Sequence, residues 1–127
     1  MAGVVVATST NSVYVSQVNL MAADFQLKKG DRLPSLVATL YDASGVADLS
    51  SATVTFKMEL ASAVPGGTVI SGSCTVLGSG QVRYDWGASD SATVGVYDAE
   101  FVVTISGKDQ TYPNGGYFTV EIVQDVS

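Results

Sequence analysis

The chain has 127 residues, 46% of them hydrophobic and 14% charged, with 13 glycines and no histidine. That is one domain's worth of sequence, able to bury a core without a metal or disulfide staple. Twelve acidic residues against six basic ones give a net charge of −6, a surface that repels a phosphate backbone, so no nucleic-acid partner is expected.

The first 23 residues carry two apolar, strand-forming stretches joined by Thr8-Ser-Thr-Asn-Ser12. Val4, Val5 and Val6 lie in the first; Val13, Tyr14, Val15 and Val18 lie in the second. Uncovered strand-forming sequence is a liability, so this segment is expected to be covered. Three readings stay open: an assembly arm that pairs with a neighbouring subunit, which makes these seven residues the candidate interface, an extra strand in its own sheet, or a disordered tail. Met1 to Thr10 lacks the basic start of a signal peptide, and no stretch approaches the ~20 apolar residues of a membrane-spanning helix. No membrane partner is expected.

From Leu36 onward the dominant pattern is period-two alternation, which places one face of a strand in a core. It is clearest where Val54, Phe56, Met58 and Leu60 alternate with Thr53, Thr55, Lys57 and Glu59. It recurs at Val82, Tyr84 and Trp86, at Tyr97, Ala99, Phe101, Val103 and Ile105, and at Phe118, Val120 and Ile122. Strands are predicted over roughly 24–28, 35–41, 52–60, 68–77, 80–86, 96–106 and 117–124. Turn signals separate them, among them Gly78-Ser-Gly80, Ser106-Gly-Lys-Asp109 and Pro113-Asn-Gly-Gly116. Short strands at this spacing without intervening helices predict an all-β, immunoglobulin-like, two-sheet antiparallel sandwich of about seven strands over 24–127, preceded by the strand or arm of 1–23. Within it, Trp86 and Phe101 are expected in the core. Asp90 is expected to cap a turn, and Tyr97 to close a tyrosine corner.

Chemistry is sparse. The absence of histidine excludes Ser–His–Asp and Cys–His pairs and imidazole metal ligands. Cys74 stands alone, so an intrachain disulfide is impossible, and it reads as a small buried hydrophobe. Asp98 and Glu100 share a strand face and read as solvated surface, not as a glycosidase pair. Asp42 and Asp48 read as turn-stabilising residues, since their spacing matches no calcium loop. Tyr14, Tyr41, Tyr112 and Tyr117 are candidates for outward faces or loop tips, where tyrosines stack on sugars or anchor interfaces. The expectation is therefore a non-enzyme with no cofactor and no metal.

Several runs taken together carry a family resemblance. Asp24-Phe-Gln-Leu-Lys-Lys-Gly-Asp-Arg-Leu-Pro34 is similar to the opening of the N-terminal domain of phage upper-baseplate proteins. Asp42-Ala-Ser-Gly-Val-Ala-Asp-Leu-Ser50 with Ala52-Thr-Val-Thr-Phe56 resembles that domain's next strand pair. Gly80-Gln-Val-Arg-Tyr-Asp-Trp86, Asp90, Gly95-Val-Tyr97, Glu100-Phe101 and Thr111-Tyr-Pro-Asn-Gly-Gly-Tyr-Phe118 continue in the same order. The resemblance implies a virion structural module, assembled in the host cytoplasm, that attaches other proteins to the tail or baseplate through protein–protein contacts and self-association. The chain differs from the family in its apolar opening segment and in stopping at Ser127, without the long C-terminal portion of the upper-baseplate proteins. Capsid decoration or a neck position is the alternative within the same class, and a carbohydrate- or host-surface-binding module, with a host glycan as partner, is the alternative outside it.

Overall fold

The computed structural model describes residues 3–7 and 12–15 as backbone strands, and 25–42, 45–61, 69–113 and 117–124 with their side chains. Among the described residues twelve strands form two sheets: β1 (Gly3–Ala7), β2 (Ser12–Val15), β3 (Phe25–Lys28), β4 (Leu36–Asp42), β5 (Gly45–Val46), β6 (Thr53–Leu60), β7 (Val69–Ser73), β8 (Thr75–Gly78), β9 (Gln81–Tyr84), β10 (Gly95–Ile105), β11 (Lys108–Tyr112) and β12 (Phe118–Val123). Sheet I runs β2-β1-β4-β9-β8, with β5 folded back on β4. Sheet II runs β3-β12-β10-β6-β7, with β11 continuing beside β10.

This order is that of an immunoglobulin-like sandwich. The strands β1, β4, β9 and β8 occupy the A, B, E and D positions of one sheet, and β6, β10 and β12 the C, F and G positions of the other. All pairings are antiparallel except one, since β3 lies parallel to β12, with Phe25 beside Val120 and Lys28 beside Val123. The parallel pair departs from the all-antiparallel expectation for a topological reason. β3 reaches β12 from the far end of the sequence, with no hairpin to force opposite directions.

The seven predicted strand regions all carry strands. The region over 68–77 is divided, because the chain leaves sheet II after Ser73 and enters sheet I at Thr75. One strand, β11, lies where a turn was expected. Ser106 and Gly107 (φ 53° and 78°) alone make the two-residue turn, so Lys108 and Asp109 already belong to the returning strand. The same Ser-Gly device joins β8 to β9, with Ser79 and Gly80 at φ 53° and 75°. A side chain at Gly80 would also run into Val46 and the backbone of Leu40.

Alternation fills the space between the sheets. Leu36, Ala38 and Leu40 of β4 point inward, as do Val54, Phe56 and Met58 of β6, and Ala99, Phe101 and Val103 of β10. Phe56 is the hub: its ring stacks on Tyr84 at 4.5 Å, meets Trp86 edge-on at 5.7 Å, and lies 5.6 Å from Phe101 and 6.3 Å from Phe118. Trp86 is 1% exposed, and its indole N–H donates to the carbonyl of Pro34 at 3.1 Å, so its one polar atom is satisfied. The Tyr97 hydroxyl donates to the carbonyl of Thr93, four residues upstream, at 2.7 Å, the geometry of a tyrosine corner.

Asp90 organises the turn after β9. Its carboxylate accepts the Gly87 amide at 2.7 Å and the Tyr84 hydroxyl, tying the turn to the aromatic core. Burial, reinforced by Asp90, holds the Tyr84 phenol well above its ordinary range, and burial pushes the half-buried Cys74 thiol from 9.0 to about 12. Both groups stay neutral in the fold. Above the unfolded values of 9.0 and 10.0 the unfolded chain gives up these protons while the native chain keeps them, so stability falls as pH rises.

Two outcomes are expected. Trp86→Ala lowers the unfolding free energy by about 3–5 kcal/mol in a urea titration; a loss under about 1 kcal/mol would mean that the ring contributes no core packing. The urea midpoint is level from about pH 7 to 9 and declines from there toward pH 12, and the decline is shallower in Cys74→Ala. A midpoint that rises above pH 9 contradicts the assigned environments of Cys74 and Tyr84.

Candidate protein interface

The chain's opening strands are hydrogen-bonded within the chain. β1 runs antiparallel to β4, with Val4 beside Leu40 and Val6 beside Ala38, and β2 lies on its other side, with Val5 beside Tyr14. Val4, Val5 and Val6 thus sit on a strand with neighbours on both sides, and Val13, Tyr14 and Val15 sit on the edge strand of sheet I. Val18 lies outside the described residues. The sequence could not choose between an arm and an intrachain strand, because the partner of β1 is a strand some thirty-five residues away and nothing local encodes that pairing.

The outer face of sheet II is a regular surface built by β10, β6 and β12. β10 presents Val96, Asp98, Glu100 and Val102 outward. Beside it β6 presents Lys57 opposite Glu100 and Glu59 opposite Asp98, and β12 places Glu121 opposite Val96. Two carboxylates directly across a ladder cost stability, and water relieves that cost because neither is fully buried. A shallow cleft of about 190 Å³ opens on this face between Lys57, Glu59, Val69, Asp98, Glu100 and Tyr117. Val69 and Tyr117 are 48% and 46% exposed and give it an apolar rim. Asp98 and Glu100 do share one strand face, as their spacing requires. Lys57 lies directly opposite Glu100 in the ladder.

A second cleft, of about 460 Å³, lies at the end of the sandwich where β4 gives way to β5 and β10 turns into β11. Asp42, Asp48, Lys108, Asp109 and Gln110 line it. Two of its carboxylates hold local turns: Asp48 accepts the Ser50 amide at 3.1 Å, which also lowers its pKa, and Asp109 accepts the Thr104 hydroxyl at 2.6 Å. The three tyrosines with described side chains, Tyr41, Tyr112 and Tyr117, do not form a platform. Tyr112 is buried, against the expectation of an outward or loop-tip position, because it lies beside Phe101 in the ladder and points inward with it. Tyr41 is half-buried, Tyr117 is exposed on sheet II, and the side chain of Tyr14 lies outside the described residues.

The loop from β3 to β4 is bound to the turn after β9. Gly30 N–H donates to the Ser91 carbonyl, the Ser91 hydroxyl donates to the Asp31 carbonyl at 2.8 Å, and Arg32 Nε donates to the Trp86 carbonyl at 3.0 Å. Ser35 donates to Asp85 at 2.7 Å, and Arg83 forms an ion pair with the same carboxylate at 3.1 Å. Of the sequence-adjacent basic residues Lys28, Lys29 and Arg32, the last directs its Nε–H to a backbone carbonyl. Among the described residues no group of three or more Cys, Asp or Glu is arranged to hold a metal ion.

Comparison of the chain with protein-family models, with curated proteins and with solved structures returns no match.

Deleting residues 1–20 removes β1 and β2 and leaves one side of β4 without a ladder partner. The truncated chain is expected to melt below the full chain by circular dichroism. An unchanged melting temperature would show that β1 adds nothing to the sandwich.

Proposed function

We propose that the chain is a structural module of a phage particle that works through protein–protein contacts, as an attachment domain of the tail or baseplate. The observation that supports this most is the way the resembling runs fit together. The runs 24–34 and 80–97 are far apart in sequence, yet they meet in one continuous set of bonds from Gly30 to Ser91, Ser91 to Asp31, Arg32 to Trp86 and Trp86 to Pro34. The runs that resemble the upper-baseplate domain are thus joined by hydrogen bonds in the fold, which supports reading them as one unit. The broad faces and open strand edges suit contact with other proteins, which is what an attachment domain requires. Fold alone assigns no role, so the reading leans on this motif order. Capsid decoration and a neck position use the same kinds of contact, and electron microscopy of particles carrying a labelled chain separates them from a tail position.

Mass spectrometry of purified particles of the phage that encodes the chain is expected to find it in stoichiometric amount with the other structural proteins. Its absence from those particles discards the reading.

A further inference from the structure

We infer that β7 is a self-pairing edge: two copies of the chain join by antiparallel pairing of their β7 strands across a two-fold axis at Ser71. The inference stands on the edge itself and does not depend on the virion reading.

The hydrogen-bond phase of β7 follows from one bond. Cys74 N–H donates to the Val54 carbonyl at 2.8 Å, in register with Phe56 beside Gly72 and Met58 beside Ile70. In an antiparallel ladder alternate residues turn both backbone groups toward the same neighbour. Ile70, Gly72 and Cys74 therefore bond to β6, and Val69, Ser71 and Ser73 direct their N–H and C=O groups away from it. Among the described residues no strand lies on that side. A row of alternating donors and acceptors at strand spacing fits an extended backbone, which fixes the chemistry of the occupant.

Of the strand edges, β8 and β3 are blunted, and β7 is not. β8 carries a register shift between Val76 and Gly78, which bends its edge. β3 is four residues long and ends in Lys28. β7 has no charge, no proline and no bulge over Val69–Ser73. Natural monomers guard such an edge with at least one of these devices.

The side chains favour a second copy as the occupant. Antiparallel pairing centred on Ser71 sets Ser71 opposite itself and Val69 opposite Ser73 of the second copy. None of these residues is charged, so no like charges meet across the axis. This matters in a chain of net charge −6, where contact between acidic surfaces of two copies is repulsive. On the neighbouring strand, Lys57 lies beside Ser71 and Glu59 beside Val69, so the two Lys57 side chains are kept apart by both β7 strands. Pairing also covers Val69, which is half exposed in the single chain. The two acid-rich outer faces would then form one continuous surface across both copies.

Sedimentation of the full chain over a concentration series tests this, beside Ser71→Pro and Ser71→Lys. Ser71→Pro removes an N–H that points outward and leaves the bonds to β6 in place; Ser71→Lys sets two like charges together on the axis. The wild-type chain is expected to pass from monomer to dimer with concentration, and both variants to stay monomeric at concentrations where it is dimeric. Amide exchange at Val69, Ser71 and Ser73 is expected to slow as the wild-type concentration rises. If Ser71→Pro melts early, Ser71→Lys decides. A wild-type chain that stays monomeric throughout the series overturns the inference, and so does a dimer that persists unchanged in Ser71→Lys. Neither result bears on whether the chain is found in particles.

Discussion

The two sheets are held together at the ring of Phe56. Projecting from β6 of sheet II, it touches Tyr84 and Trp86 at the end of β9 in sheet I, and also Phe101 and Phe118 of its own sheet. A sandwich is stable only if its inner faces interdigitate, and an aromatic hub does this with few residues because each ring buries a large area. The alternation of β6, β9, β10 and β12 serves to bring these five rings to one depth. The tyrosine corner at Tyr97 and the Asp90 turn then fix the chain on either side of the hub.

The polar bonds near the hub follow from its burial. Tyr84 and Trp86 bring a hydroxyl and an indole N–H into the interior, and each needs a partner. Asp90 serves the first and Pro34 the second. Serving the second draws the 29–35 loop across the end of the sandwich, where Arg32 and Ser91 add further bonds. This explains how weak local signals, each only a turn residue or an aromatic, become a connected unit in three dimensions. It also explains why Ser91, a buried polar side chain, is tolerated with a single carbonyl as its acceptor.

Most of the sandwich was legible in the sequence, because a strand with one buried face writes its register as alternation. β6 and β10 could be read almost residue by residue. β11 could not: Lys108, Asp109 and Gln110 are exposed and carry no alternation, so they look like the turn that precedes them. The passage of the chain between sheets at Cys74 left no mark either, since the alternation continues through it. The place of β1 beside β4 depends on a partner distant in sequence, and hydrophobicity alone states only that β1 must be covered. The candidate surfaces were least legible. The outward positions of Asp98 and Glu100 followed from parity, but Glu59 facing Asp98 is a matter of cross-strand register. The open edge of β7 is a matter of topology.

The parallel pairing of β3 with β12 has a mechanical consequence. Phe25 lies beside Val120 and Lys28 beside Val123. Tension entering the chain at the Phe25 end of β3 and leaving at the Val123 end of β12 therefore acts at opposite ends of that ladder. It pulls along the strands, so the evenly spaced bonds of the pair strain together and must fail together. A hairpin pulled from its two open ends would instead unzip one bond at a time. The pairing that brings the early and late parts of the sandwich together is thus also a shear clamp against force applied along the chain.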